Sequence, residues 1–101
     1  MDAKVEKITN YLISEGMQPQ VAEYGLEKIQ KHVDILADFE RFIDTQGYEY
    51  NNALRIDNVS AAEIHKMAPF LSPLGVYDFM VTMREKPDLA TRYITEGFPR
   101  H

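Results

Sequence analysis

The sequence predicts an all-α fold: a helical hairpin, about 2–15 and 19–46, packed on a cluster of three short helices at about 60–70, 73–86 and 88–96. Three observations carry this expectation. Apolar residues recur every three or four positions along most of the chain, the spacing that gathers them on one side of a helix. Helix-start signals recur at Pro19, at Ser60 and at Ser72-Pro73, where proline suits a first helical turn and serine suits an N-cap. Alternation of apolar and polar residues, the mark of a half-buried strand, is confined to the few residues around Tyr48 and Tyr50.

In the first helix Val5, Ile8 and Leu12 form the apolar side, and Gly16 ends it as a residue tolerant of positive φ does after a last turn. From Val21 to about Gln46 there is no proline, and Leu26, Ile29, Val33, Leu36 and Ile43 trace one stripe that Ile35, Phe39 and Phe42 widen. The opposite face reads Glu27, Lys31, Asp34, Asp38, Arg41 and Thr45. Gly25 is the weak point, because glycine inside a helix costs ~1 kcal/mol relative to alanine. Gly47 to Asn58 reads as a loop, with a small hairpin about Asn51-Asn52.

Ser60 followed by Glu63 forms a capping box, in which each residue's side chain satisfies the other's backbone amide. Pro69 limits that helix, and Ser72-Pro73 starts the next. Between Pro73 and Lys86 the residues Val76, Tyr77, Phe79, Met80, Val81 and Met83 leave only Gly75, Asp78, Thr82 and Glu85 as a polar stripe. Such a helix is surrounded by others. Leu89, Ala90, Tyr93 and Ile94 supply a last helix before Gly97.

At 101 residues the chain fits one domain, 1–101, with a loop at about 47–59. It contains no cysteine, which removes disulfides, zinc–thiolate sites and thiol nucleophiles together and fits a cytoplasmic protein. The first residues read as neither a secretory signal nor a membrane span. The formal charge is −5, which repels a phosphate backbone and argues against nucleic acid as a partner. Residues 1–46 carry nine acidic against five basic side chains, so the acidity is concentrated there.

Ser72, Pro73, Leu74, Gly75, Tyr77, Arg84, Glu85, Pro87, Gly97, Phe98, Pro99 and Arg100 match a pattern of [ST]PLGxY, an apolar run, LRExP and a closing G[FL]PR[KH], with Met83 in place of the leucine. In this it resembles a group of uncharacterised short bacterial proteins of Firmicutes and mobile elements. The likeness covers about the last forty residues. It implies a bacterial or mobile-element origin and no particular activity.

Motifs of catalysis are missing. Ser14, Ser60 and Ser72 sit in no G-x-S-x-G elbow, and no Gly-rich phosphate loop occurs. His32, Asp34 and Asp38 do not share one helical face, so no metal and no cofactor are expected. A recognition helix needs basic and donor groups on its exposed side, whereas the stripe at 73–86 offers Asp78, Thr82 and Glu85. The expected function is a non-enzymatic protein–protein interaction module, a small regulator or inhibitor. An acidic, anti-CRISPR-like inhibitor of a host defence nuclease and a DNA-binding regulator are the alternatives. The partner-binding candidates are Asp34, Asp38, Tyr48, Glu49 and Tyr50, with Phe98 and Arg100 at the end. Tyrosine is enriched in binding hot spots, although Tyr48 and Tyr50 serve equally well as a lid on the core. A homodimer would cover any apolar surplus on the long helix and on 73–86.

Overall fold

Four of the other five helices pack on α5, the most apolar of the six. A computed structural model describes residues 2–49 and 53–98. The helices are α1 (Ala3–Ser14), α2 (Pro19–Ile29), α3 (Val33–Thr45), α4 (Ala61–Met67), α5 (Pro73–Glu85) and α6 (Pro87–Glu96). The fold is all-α, a hairpin packed on a cluster of short helices as the apolar periodicity predicts. No described helix is long and apolar enough to cross a membrane.

Local signals account for most of the boundaries. Asp2 caps α1, its Oδ1 accepting from the Lys4 amide at 2.7 Å. Gly16, at φ 101°, makes the turn that sends the chain back into α2, a conformation nearly free for glycine and costly for other residues. Ser60 Oγ accepts from the Glu63 amide at 3.3 Å while Glu63 Oε1 accepts from the Ser60 amide at 3.2 Å, the reciprocal pair of a capping box. Ser72 Oγ accepts from the Gly75 amide at 3.2 Å, and Pro73 and Pro87 occupy first-turn positions of α5 and α6. Ser14 Oγ donates to the Tyr11 carbonyl at 2.6 Å. All three serines are thus engaged in local backbone contacts.

The segment 19–46 departs from expectation, for it is two helices. The chain leaves helical geometry at His32, φ −114° and ψ 95°, and α3 starts out of phase with α2. Val33 therefore turns outward, 73% exposed, although the uninterrupted stripe places it inside. Asp38 turns inward for the same reason and is only 6% exposed. Gly25, by contrast, does not interrupt α2.

One core joins all six helices, with Ile8, Leu26, Ile29, Ile35, Phe39, Ile64, Val76, Tyr77 and Met80 fully buried and Ala90 of α6 nearly so. Phe39 and Tyr77 stack at its centre, their ring centroids 4.5 Å apart and their planes at 14°. Every large apolar residue of α5 from Val76 to Met83 is buried, and Leu74 is half-buried. α5 packs on α2, α3, α4 and α6, while α1 packs on α2 and α3. In the loop, Ile56 and Val59 pair across a two-residue turn at Asp57 and Asn58, both at positive φ. This geometry suits a tight hairpin turn. The Asn51-Asn52 turn expected from the sequence lies outside the described residues.

Candidate protein-docking surface

Two helices in antiparallel contact bury one side of each and leave a furrow between their outer sides. Between α1 and α2 this furrow is a groove of about 400 Å³ floored by Val5 and Thr9 and lined by Gln20, Glu23, Tyr24, Glu27 and Gln30. Thr9 is buried, and its Oγ1 is satisfied by donating to the Val5 carbonyl at 2.7 Å. Tyr24 stands 77% exposed and Val21, one turn before it, 50% exposed. Ile13, four residues after Thr9 on the α1 side, is also exposed.

The groove's charge is one-sided. Glu23 and Glu27 stand one turn apart on α2, and Glu6 lies three residues before Thr9 on α1. None of the three has an ion-pair partner among the described residues. Two cations of these helices are engaged elsewhere, Lys7 with Asp44 at 2.6 Å and Glu40 at 3.4 Å and Lys28 with Asp78 at 3.3 Å, while Lys4 and Lys31 line the adjoining furrow at the Val5–Gln30 end. Like charges one helical turn apart repel by a few tenths of a kcal/mol, roughly 0.2–0.5, and a cationic ligand removes that cost.

The residues singled out from sequence fall in other places. Asp34 is exposed, and Arg84 of α5 donates to its Oδ1 at 2.8 Å and its Oδ2 at 2.7 Å. This guanidinium holds the Asp34 carboxyl below its usual range. Asp38 is not on an exposed acidic stripe: burial raises its carboxyl's pKa, against the lowering effect of the Tyr77 hydroxyl. Tyr48 is packed between Phe42, at 4.4 Å, and His65, at 4.6 Å, as a lid on the core. Its hydroxyl and His65 Nδ1 are buried with no hydrogen-bond partner among the described residues, and burial pushes the phenol's pKa upward. Glu49 is exposed. Phe98 is half-buried against Phe79, at 4.7 Å, with Tyr93 and Phe70 at 6.1 Å each. Tyr50 and Arg100 lie outside the described residues.

Sequence reasoning missed Tyr24, Val21 and Glu23. The available signal is their phase, since Leu26 and Ile29 define the buried side of α2 and these three fall off it. A second apolar furrow, lined by Met67, Phe70, Tyr93, Ile94, Gly97 and Phe98, lies between α4 and α6. α4 and α6 pack on α5 and on no part of α1 or α2, so the two furrows belong to separate parts of the surface. Among the described residues no group of three His, Asp or Glu side chains is arranged to hold a metal ion.

No protein-family model matches the chain, and comparison with curated proteins and with solved structures gives no match.

Proposed function

We propose that the chain is a non-enzymatic protein-binding module, a small regulator or inhibitor, that receives a basic partner segment along the groove between α1 and α2. One observation carries this reading: Glu23 and Glu27, which form no ion pair among the described residues, flank a tyrosine that is 77% exposed. Exposed aromatic side chains anchor interfaces, and uncompensated charge beside them steers and selects a partner of opposite sign. The partner segment therefore carries Lys or Arg beside aliphatic side chains that cover Tyr24, Val21 and Ile13. A nuclease offering its basic channel is a particular case, supported by the concentration of acid in residues 1–46. A DNA-binding role has less support, because the polar side of α5 carries Asp78 and Glu85. The resemblance of about the last forty residues to short mobile-element proteins supports a bacterial origin.

The test is fluorescence anisotropy with two labelled helical peptides of matched length, one Lys/Leu and one Glu/Leu. The reading requires the Lys/Leu peptide alone to bind, with affinity falling as salt rises. It also requires the Y24S/E23Q/E27Q variant to lose roughly tenfold or more in affinity, the loss of a single hot spot, while keeping its helicity. Equal binding of both peptides, or an unaffected variant, rejects it.

A further inference from the structure

The bend between α2 and α3 is not encoded in the residues that form it. Residues 26–46 contain neither proline nor glycine. Gln30 still has right-handed helical angles, φ −64° and ψ −15°, and Gln and Lys are good helix formers. His32 leaves helical space without offering a side-chain cap to α3, and a helix start of this kind lacks the stabilisation that Ser, Thr, Asp or Asn supplies. Local preference favours one helix from 19 to 45, and tertiary contacts impose the break.

Those contacts are specific. Ile29 before the bend and Ile35 and Leu36 after it are buried in the core. Over the bend, the end of α5 closes a latch. His32 Nε2 lies 2.7 Å from Glu85 Oε2, and Arg84 Nη1 lies 3.3 Å from His32 Nδ1. A neutral imidazole satisfies both, donating to Glu85 and accepting from Arg84. The same guanidinium holds Asp34, in the first turn of α3, through two bonds. The hinge and the helix after it are therefore fastened by two consecutive residues fifty positions downstream.

A straightened helix cannot close on its own chain. At 1.5 Å per residue, residues 19–45 would span roughly 40 Å, more than the 35 Å longest dimension of the molecule. The contacts of α1 with α3 and of α2 with α5 would then form only on a second copy. Exchange of an identical arm re-creates every one of them outside the hinge, which makes it a low-cost route to a dimer.

We propose that His32 is a hinge, and that the cluster His32, Asp34, Arg84 and Glu85 is a latch that holds the chain closed. When the latch opens, α2 and α3 fuse and two copies exchange residues 2–29. All of the α1–α2 groove's lining except Gln30 lies within this arm, so exchange keeps Glu23, Tyr24 and Glu27 beside Val5 and Thr9, and the two ideas fail independently.

The substitution V33P locks the closed form. Proline fits the first position of α3, holds residue 32 out of helical angles and forbids a continuous helix. The variant H32A/R84A opens the latch. Sedimentation of the full chain from micromolar to millimolar concentration should show H32A/R84A dimerising roughly tenfold or more tightly than the parent, with unchanged helicity. Adding V33P should restore the monomer. A monomeric H32A/R84A at millimolar concentration, or a dimer that persists with V33P present, overturns the proposal. If H32A/R84A does not fold, the unaltered chain decides: heated to its unfolding midpoint at millimolar concentration and cooled, it should yield dimers where V33P yields none. Equal dimer fractions in the two refute the hinge.

Discussion

The hydroxyl of Tyr77 lies 3.1 Å from Asp38 Oδ2 and 3.2 Å from the Asp38 carbonyl oxygen, a contact between α5 and α3 across 39 residues. Tyr77 is fully buried and Asp38 nearly so. The ring of Tyr77 stacks on Phe39, so one side chain supplies both the apolar and the polar attachment of α3 to α5. Removing only the hydroxyl isolates the polar part. Y77F should lose ~1.5–3 kcal/mol, the range for hydrogen bonds to charged groups. Urea denaturation should show a lower midpoint with an unchanged slope, since the surface exposed on unfolding stays the same.

Replacing Asp38 has the opposite expected sign. Burial raises its pKa, so the folded state binds this proton more tightly than the unfolded chain, and the ionised form costs stability at neutral pH. That cost is relieved as pH falls through the folded pKa. D38N keeps an acceptor for Tyr77 and removes the charge. At neutral pH it should match or exceed the parent by up to ~1 kcal/mol, and the difference should shrink on acidification. A D38N that is less stable at neutral pH by more than the error of the urea fit contradicts this account.

Asp34 and Glu85 titrate the other way. Arg84 lowers the first, and the hydrogen bond to His32 lowers the second. Depressed carboxyl pKa values contribute stability that is complete above the ordinary carboxylate range and is lost as pH falls through the folded values. R84A removes the main cause at Asp34 and should therefore flatten the acid limb of thermal stability. Both carboxylates face solvent, which screens them and keeps the effect small. Melting temperatures of R84A and the parent should converge as pH drops below roughly 4.

These contacts show where the sequence was legible and where it was not. Ser60-x-x-Glu63 and Ser72-Pro73 each name their helix because cap chemistry is local, and the apolar density of 76–83 identifies a central helix without any partner being known. The break at His32 has no such signal, because Ile29, Ile35, Arg84 and Glu85 impose it from elsewhere. That one break shifts the phase of α3, and the shift inverts Val33 and Asp38 together. The docking groove suffers in the same way: Glu27 reads correctly as exposed, but Tyr24 gains meaning only once α1 lies beside α2.

Gly25 has a spatial reason that sequence could not supply. A Cβ built on it would stand 2.6 Å from Leu74 Cδ2, so glycine there lets α2 approach α5 closely. Alanine would gain ~1 kcal/mol in helix propensity, and the Leu74 methyl, at the end of a half-buried side chain, can swing away at some cost. G25A should be far more favourable in an L74A background than in the parent, with a coupling of ~0.5–3 kcal/mol in a double-mutant cycle. G25V cannot be accommodated by moving one methyl and should destabilise by ~1–3 kcal/mol. Additive G25A and L74A effects would show that the close approach is not what selects glycine.

Tyr48 tests the lid on the core. Its ring lies between Phe42 and His65, and its hydroxyl is buried without a hydrogen-bond partner among the described residues. A donor taken out of water and left unmatched costs ~1–3 kcal/mol, so Y48F should stabilise the fold by up to ~1 kcal/mol once local relaxation is allowed for. Y48A should instead destabilise by ~2–4 kcal/mol, because a half-buried aromatic loses its stacking and leaves Phe42 uncovered. If the tyrosine served as a docking anchor rather than a lid, Y48F would leave stability unchanged, and Y48A would weaken peptide capture at unchanged urea midpoint. Denaturation and anisotropy measured on the same two variants separate the roles, and the packing around Tyr48 favours the lid.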